Sequence, residues 1–230
     1  MKKVTDGNFH LPNEILEFLT NLNSNNNKEW FTENKPFYEE KVKKPVHQLI
    51  GIMAERFLSL GIPLVSDPKI STFRINRDIR FSPNKEPYKT HIGFFFPLAF
   101  EQIVKRNINA PCFYFHIEPG SVFACGGLHL PPSETLKYVR EKIDTEYKEL
   151  ETILSNKALK KEYPVILEDE KLKRVPAGYS PDHPREEWLR LKEYIILCNM
   201  DYDTVFSEEL PDILTKKAAA IIPFLEFLSK

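Results

Sequence analysis

Apolar residues recur along this chain with two different periods. Val42, Val46, Leu49, Ile50, Met53, Phe57 and Leu60 fall at spacings of three and four, so they share one face of a helix that ends near Gly61-Ile62-Pro63. Pro45 kinks the start of that helix or marks its first turn. The same period returns after Pro131-Pro132, where Leu136, Val139, Ile143, Tyr147, Leu150 and Leu154 form a stripe and Ser133 is the expected N-cap. It returns again after Pro211 in Ile213, Leu214, Ala218, Ile221, Ile222 and Leu225, with Pro223 expected to bend the helix. Ahead of these, LPNEILEFLTNLNSNNNKEWFTENKPFYEE reads as two short helices parted by an asparagine-rich turn at residues 23–27.

Between residues 70 and 128 the period shortens to two. In residues 73–81 the odd positions are Phe73, Ile75, Arg77, Ile79 and Phe81 and the even ones Arg74, Asn76, Asp78 and Arg80, a pattern that a helix would scatter and a strand sorts onto two faces. THIGFFFPL, CFYFHIEP and SVFACGGL have the aromatic content and length of further strands. Residues 157–184 are proline-spotted and charged, after which a short helix at 185–192 should feed a strand at 194–198. The expectation is one α+β domain over residues 1–230 with a central, mostly antiparallel sheet flanked by N-terminal, middle and C-terminal helices. Its helical N-terminal part spans about 10–62, the sheet-rich middle about 70–128, the long helix about 133–155 and a helix–strand–helix part about 184–230.

Charge narrows the functional classes. With 32 lysines and arginines against 33 acidic residues in 230, there is no global field of the kind that drives non-specific nucleic-acid binding, so any basic site must be local. Three cysteines, widely spaced and outside any C-x-x-C pattern, read as reduced thiols and small buried hydrophobes. MKKVTDGNFHLPNEILEF lacks the apolar core of a secretory signal, and no apolar run approaches the ~18 residues of a membrane span. A cytoplasmic protein without membrane contact is expected.

The local excess lies in residues 71–93, which carry Arg74, Arg77, Arg80, Lys85 and Lys89 against Asp78 and Glu86. On a strand, Arg77 would stand on the apolar face between Ile75 and Ile79, where a guanidinium must be paired and hydrogen-bonded. Its partner is then an internal carboxylate or a bound anion. Arg74 and Arg80 flank Asp78, which can orient both, and the following loop adds Lys85, Tyr88, Lys89 and His91. Guanidinium groups grip phosphate or carboxylate through paired hydrogen bonds, so Arg74, Arg77, Arg80, Lys85, Tyr88 and Lys89 are the candidate anion-binding residues. The alternative is a structural salt-bridge knot drawing on carboxylates elsewhere.

Arg74-x-x-Arg77-Asp78-x-Arg80-Phe81-Ser82, followed by Asn84-Lys85-x-x-Tyr88, resembles the signature of the bacterial domain-of-unknown-function 2461 family. The likeness continues through YFHIEPG, Gly126-Gly127 and LKRVPAGYSPDHP and covers nearly the whole chain. It implies that the segment matters to the family, and it brings no assigned activity from which catalytic residues could be carried over.

Other constellations are weaker. His116 and Glu118 lie two apart and would share one face of a strand, as an oriented general base or as two metal ligands completed by His129, Asp182 or His183. A surface histidine beside a glutamate is the simpler account, and no dedicated ligand spacing such as H-E-x-x-H is present, so no metal ligand set is assigned. No nucleotide loop, G-x-S-x-G elbow or other cofactor motif occurs, and no cofactor is expected. Gly126-Gly127 reads as a bulge or strand-end turn. Phe94, Phe95, Phe96, Phe113, Tyr114 and Phe115 are core residues or, beside the arginines, a platform for single-stranded nucleic acid, which would make the protein a nucleic-acid-binding module. The leading expectation is an anionic small-molecule site, with His116 and Asp78 the candidates for catalysis if there is a reaction.

Overall fold

The computed structural model describes residues 9–80, 83–99 and 110–229. The first helical patterns become α1 (Glu14–Ser24), α2 (Lys28–Phe37) and α3 (Lys44–Leu60). Asn27 caps α2 by accepting the Trp30 backbone N–H at 2.9 Å. The run from α2 to α3 does not break but widens into a π-helical turn, Tyr38–Lys43. Pro45, in the first turn of α3, has no N–H to donate, and just before it the Lys44 N–H reaches Glu39 O, five residues back. Gly61 closes α3 at φ 66°, with Ile62 N–H on Phe57 O at 2.9 Å.

A one-turn helix α4 (Pro68–Ser71) precedes the sheet. The aromatic segments form β1 (Ile92–Pro97), β2 (Cys112–Glu118) and β3 (Ser121–Leu128). There follow α5 (Ser133–Ser155), α6 (Lys157–Glu162), β4 (Val165–Ile166), α7 (Glu186–Leu189), β5 (Tyr194–Asn199), α8 (Tyr202–Val205) and α9 (Leu210–Phe227). All pairings are antiparallel in the order β1-β2-β3-β5-β4, so the fold is α+β as expected. The two-residue edge strand β4 has no sequence pattern of its own; its pairing with β5 creates it.

Register sorts the side chains. Phe94, Phe96, Phe113, Phe115, Ile117, Val122 and Ala124 share one face, wholly or almost wholly buried in a single apolar cluster with Ile15 and Leu19 of α1, Phe57 of α3 and Ile221 and Phe224 of α9. The opposite face carries Gly93, Phe95, Tyr114, His116, Phe123 and Cys125. Among the described residues no helix is long and apolar enough to cross a membrane.

Three local expectations need correction. Ser133 is the first residue of α5 and caps nothing; Pro132 occupies the cap position and has no side-chain acceptor. Gly126 and Gly127 lie inside β3, at neither a bulge nor a turn, because α9 and β5 approach them too closely for a side chain. Residues 73–80 are not a continuous strand. Thr72 bridges Phe94, and Asn76 bridges Tyr88 through Arg77 N–H on Pro87 O and Lys89 N–H on Ile75 O, both at 2.9 Å. Pro83 and Pro87 cannot donate to a ladder, and the chain turns at Ile79-Arg80. Phe81 and Ser82 lie outside the described residues.

Candidate functional site

The irregular 72–90 segment keeps strand alternation only in its first half. Ile75 is buried and Arg77, on the same side, is 23% exposed in its side chain, whereas Ile79 has turned out to solvent. The Arg77 guanidinium donates to Tyr88 O at 3.3 Å and lies 3.8 Å from Glu86, with its Nε buried and making no hydrogen bond. Arg80 grips Asp78 at 2.9 and 2.7 Å, and Arg74 reaches the same carboxylate at 3.8 Å. The Arg80 side-chain and backbone donors, and the charge of Arg74, hold the Asp78 carboxyl far below the usual range, so Asp78 is a fixed anion with no proton to exchange near neutrality. Lys85 donates to Ile79 O at 2.9 Å. Arg77, Arg80, Asp78 and Lys85 thus brace the hairpin.

Arg74, Tyr88 and Lys89 also border open space, with Lys89 Nζ donating to Arg74 O at 3.2 Å. They line a cleft of about 870 Å³ between α2, the π turn, the start of α3, α4 and residues 72–76 and 88–93. Its floor is apolar, with Phe31, Val42, Val46, Ile75 and Ile92, and its walls carry Lys35, Lys43, Lys69, Arg74 and Lys89. Among the described residues the one carboxylate in the lining, Glu39, is held by Lys43 at 2.8 and 3.1 Å. The π turn places Tyr38, Glu39, Val42 and Lys43 on this wall in line with His47. Burial, then the Lys43 charge, lowers the His47 pKa against the opposing pull of Glu39.

Tyr88 is seated by a residue that sequence reading passed over as part of a turn. Asn26 accepts the Tyr88 N–H at 3.1 Å and donates to Tyr88 O at 3.0 Å, closing off both outward backbone groups, while the Tyr88 ring stacks on Phe31 at 4.1 Å. Lys35, Lys43, His47 and Lys69 were likewise unmarked, since single lysines on helix surfaces carry no signal until the helices are brought together.

Beside the cleft, His91 stacks on His116 with ring centroids 4.7 Å apart, and His116 stacks in turn on Phe123 at 4.6 Å. His116 Nδ1 meets the Tyr114 hydroxyl at 2.8 Å, and Glu118 lies 3.5 Å from Nε2. Burial, reinforced by His116, Lys89 and Arg77, pushes the His91 pKa down to about 4; burial also lowers that of His116 despite Glu118. Both rings are neutral at neutral pH. The other residues considered with His116 are engaged elsewhere or apart: His129 pairs with Glu193 at 2.8 Å, His183 lies 3.9 Å from Asp144, and Asp182 is an exposed turn residue. Of the six aromatics expected as a platform, Phe94, Phe95, Phe96, Phe113 and Phe115 are at most 1% exposed and present no face to a nucleobase.

No curated protein and no solved structure is similar to the chain. The family described as a conserved hypothetical protein (DUF2461) matches residues 14–227, a span that takes in α1, the cleft, the arginine segment, the sheet and α9, and the chain belongs to that family.

Proposed function

We propose that this protein binds a small phosphate- or carboxylate-bearing molecule in the cleft between α2, α3, α4 and the 72–93 segment. One observation carries the reading: among the described residues five cations line a concave, apolar-floored cavity whose single carboxylate is already neutralised by Lys43, and of the five Arg74 lies near a further carboxylate, Asp78 at 3.8 Å. Cationic walls over a low-dielectric floor focus positive potential into the cavity and so favour an anion there, and its volume suits a metabolite better than a polymer. Arg74, Lys69 and Lys89 supply charge, Tyr88 and Phe31 a flat apolar wall. Arg77, Arg80 and Lys85 act on the ligand through the hairpin that positions Arg74, Tyr88 and Lys89.

The test is a thermal-shift screen of phosphorylated and carboxylated metabolites. A ligand at 100 times its Kd adds about 2.7 kcal/mol, which for a chain of this size raises Tm by roughly 5–10 °C. Arg74→Ala and Lys69→Ala, both at exposed positions, should keep the unliganded Tm within about 2 °C and abolish the shift. An absence of any stabilising anion, or a shift that persists in the double variant, would overturn the reading.

A further inference from the structure

We propose that His91, His116 and Glu118 form a binding site for a divalent first-row transition-metal ion at the edge of the sheet, opening into the cleft. One donor atom from each of the three lies within 4.8 Å of the others. Two imidazoles and a carboxylate are a ligand set that holds Zn²⁺ or Fe²⁺ while leaving coordination positions free, and the imidazoles disfavour Ca²⁺ and Mg²⁺.

The strands build the set. His116 and Glu118, two apart on β2, share a face, and the β1–β2 register sets Gly93 opposite His116. Gly93 leaves room that a side chain would fill, and the Tyr114 ring lies across it to bring its hydroxyl to His116 Nδ1. His91, two residues before Gly93, then folds over the His116 ring from the cleft side. The Tyr114 hydroxyl engages Nδ1 and the ring is clamped against Phe123; in the tautomer that donates Nδ1–H to Tyr114 the Nε2 lone pair is left for a ligand, the arrangement in which an outer-shell partner fixes a metal-binding histidine. The decisive observation is that Nε2: His116 is 8% exposed, and its Nε2 is buried without a well-formed hydrogen bond, facing Glu118 Oε1 at 3.5 Å, so that a lone pair and a carboxylate meet. Buried polar atoms are seldom left so. Tetrahedral ligand atoms sit about 3.3 Å apart, so the ion would draw in His91 and Glu118, which are the two more exposed members of the set.

The site does not depend on the anion reading. Its test uses the untagged full chain, stripped with chelator and dialysed, then titrated with Zn²⁺ by calorimetry and with Co²⁺ by visible absorption. One equivalent should bind, with d–d bands of a site containing nitrogen and oxygen donors. Glu118→Gln and His91→Gln, at partly exposed positions, should keep their circular dichroism and lose stoichiometric binding. Tyr114→Phe should weaken it about 10–100-fold, and His129→Gln should leave it unchanged. Failure of the wild-type chain to bind one equivalent, or binding that survives His91→Gln together with Glu118→Gln, would overturn the proposal.

Discussion

Replacing either glycine of the Gly126-Gly127 pair by alanine adds the same methyl group, yet the structure assigns the two substitutions different costs. At Gly126, φ is unremarkable and the new Cβ would run into Cδ1 of Ile221, the tip of a side chain on α9, with Cys112 O next at 3.1 Å. A flexible tip can move, so Gly126→Ala is an overpacking change costing about 1–3 kcal/mol. At Gly127, φ is 138° and the Cβ would strike the backbone carbonyl of Tyr194 on β5. Nothing there can swing aside. The β3–β5 ladder has to part, and because those strands lie at the middle of the sheet the cost should be about 4 kcal/mol or more, a large share of the ~5–15 kcal/mol that holds a domain together. Ile221→Val separates the cases. Alone it should cost about 0.5–1.5 kcal/mol. It removes the atom that Gly126→Ala meets, so the pair should be less destabilised than the sum by about 1 kcal/mol, whereas with Gly127→Ala the costs should add to within ~0.5 kcal/mol. Urea denaturation of the five variants measures all terms. A Gly127→Ala protein within about 1 kcal/mol of the parent, or strict additivity in the Gly126→Ala/Ile221→Val pair, would refute the reasoning.

Two further outcomes are expected. Lys217, 8% exposed on α9, donates to Glu162 of α6 at 3.1 Å, and Glu162 also meets Lys216 at 2.6 Å. Glu162→Ala should cost about 3 kcal/mol by leaving the buried Lys217 ammonium without a countercharge, its remaining acceptor being the Glu162 backbone carbonyl at 3.3 Å, while Glu162→Leu with Lys217→Met should recover most of that loss on thermal or urea unfolding. Burial alone raises the Glu162 carboxyl, but the two lysines outweigh it and the net pKa is lowered. The pair's stabilisation is therefore present above the usual carboxylate pKa and lost as pH falls through the lower folded value, and the double variant should show a shallower acid limb. Burial pushes the Cys112 thiol up to about 12 and that of Cys125 well above its ordinary value, and Cys198 is buried. Cys125 and Cys198 should resist alkylation at pH 8 in the folded protein and react at once in denaturant, with the half-buried Cys112 the first to label; rapid labelling of Cys125 or Cys198 in the native chain would contradict this burial.

Much of the fold was legible because it follows from local periodicity. The stripe from Val46 to Phe57 and the aromatic runs of β1, β2 and β3 bury the faces their spacing implies. The arginine segment was read with a strand's parity, and parity held only as far as Arg77, because the prolines at 83 and 87 limit the pairing to one bridge. The basic segment itself divided. Arg74, Tyr88 and Lys89 line the cleft, and Arg77, Arg80 and Lys85 tie the hairpin to Tyr88 O, Asp78 and Ile79 O. Sequence alone places His91 in the basic loop, apart from His116 and Glu118, because 25 positions separate His91 from His116 while the β1–β2 register brings them together.

By itself the sequence determined the long helices α3, α5 and α9, the strands β1, β2, β3 and β5, the α+β class and the segment in which charge departs from balance, since each is written in spacing along one stretch of chain. Which cations share a cavity, which carboxylate is already neutralised, and which imidazole is left with an unpaired nitrogen were decided by tertiary structure alone. Those properties depend on distances between elements far apart in the chain, and on the burial that makes an unpaired charge or lone pair consequential.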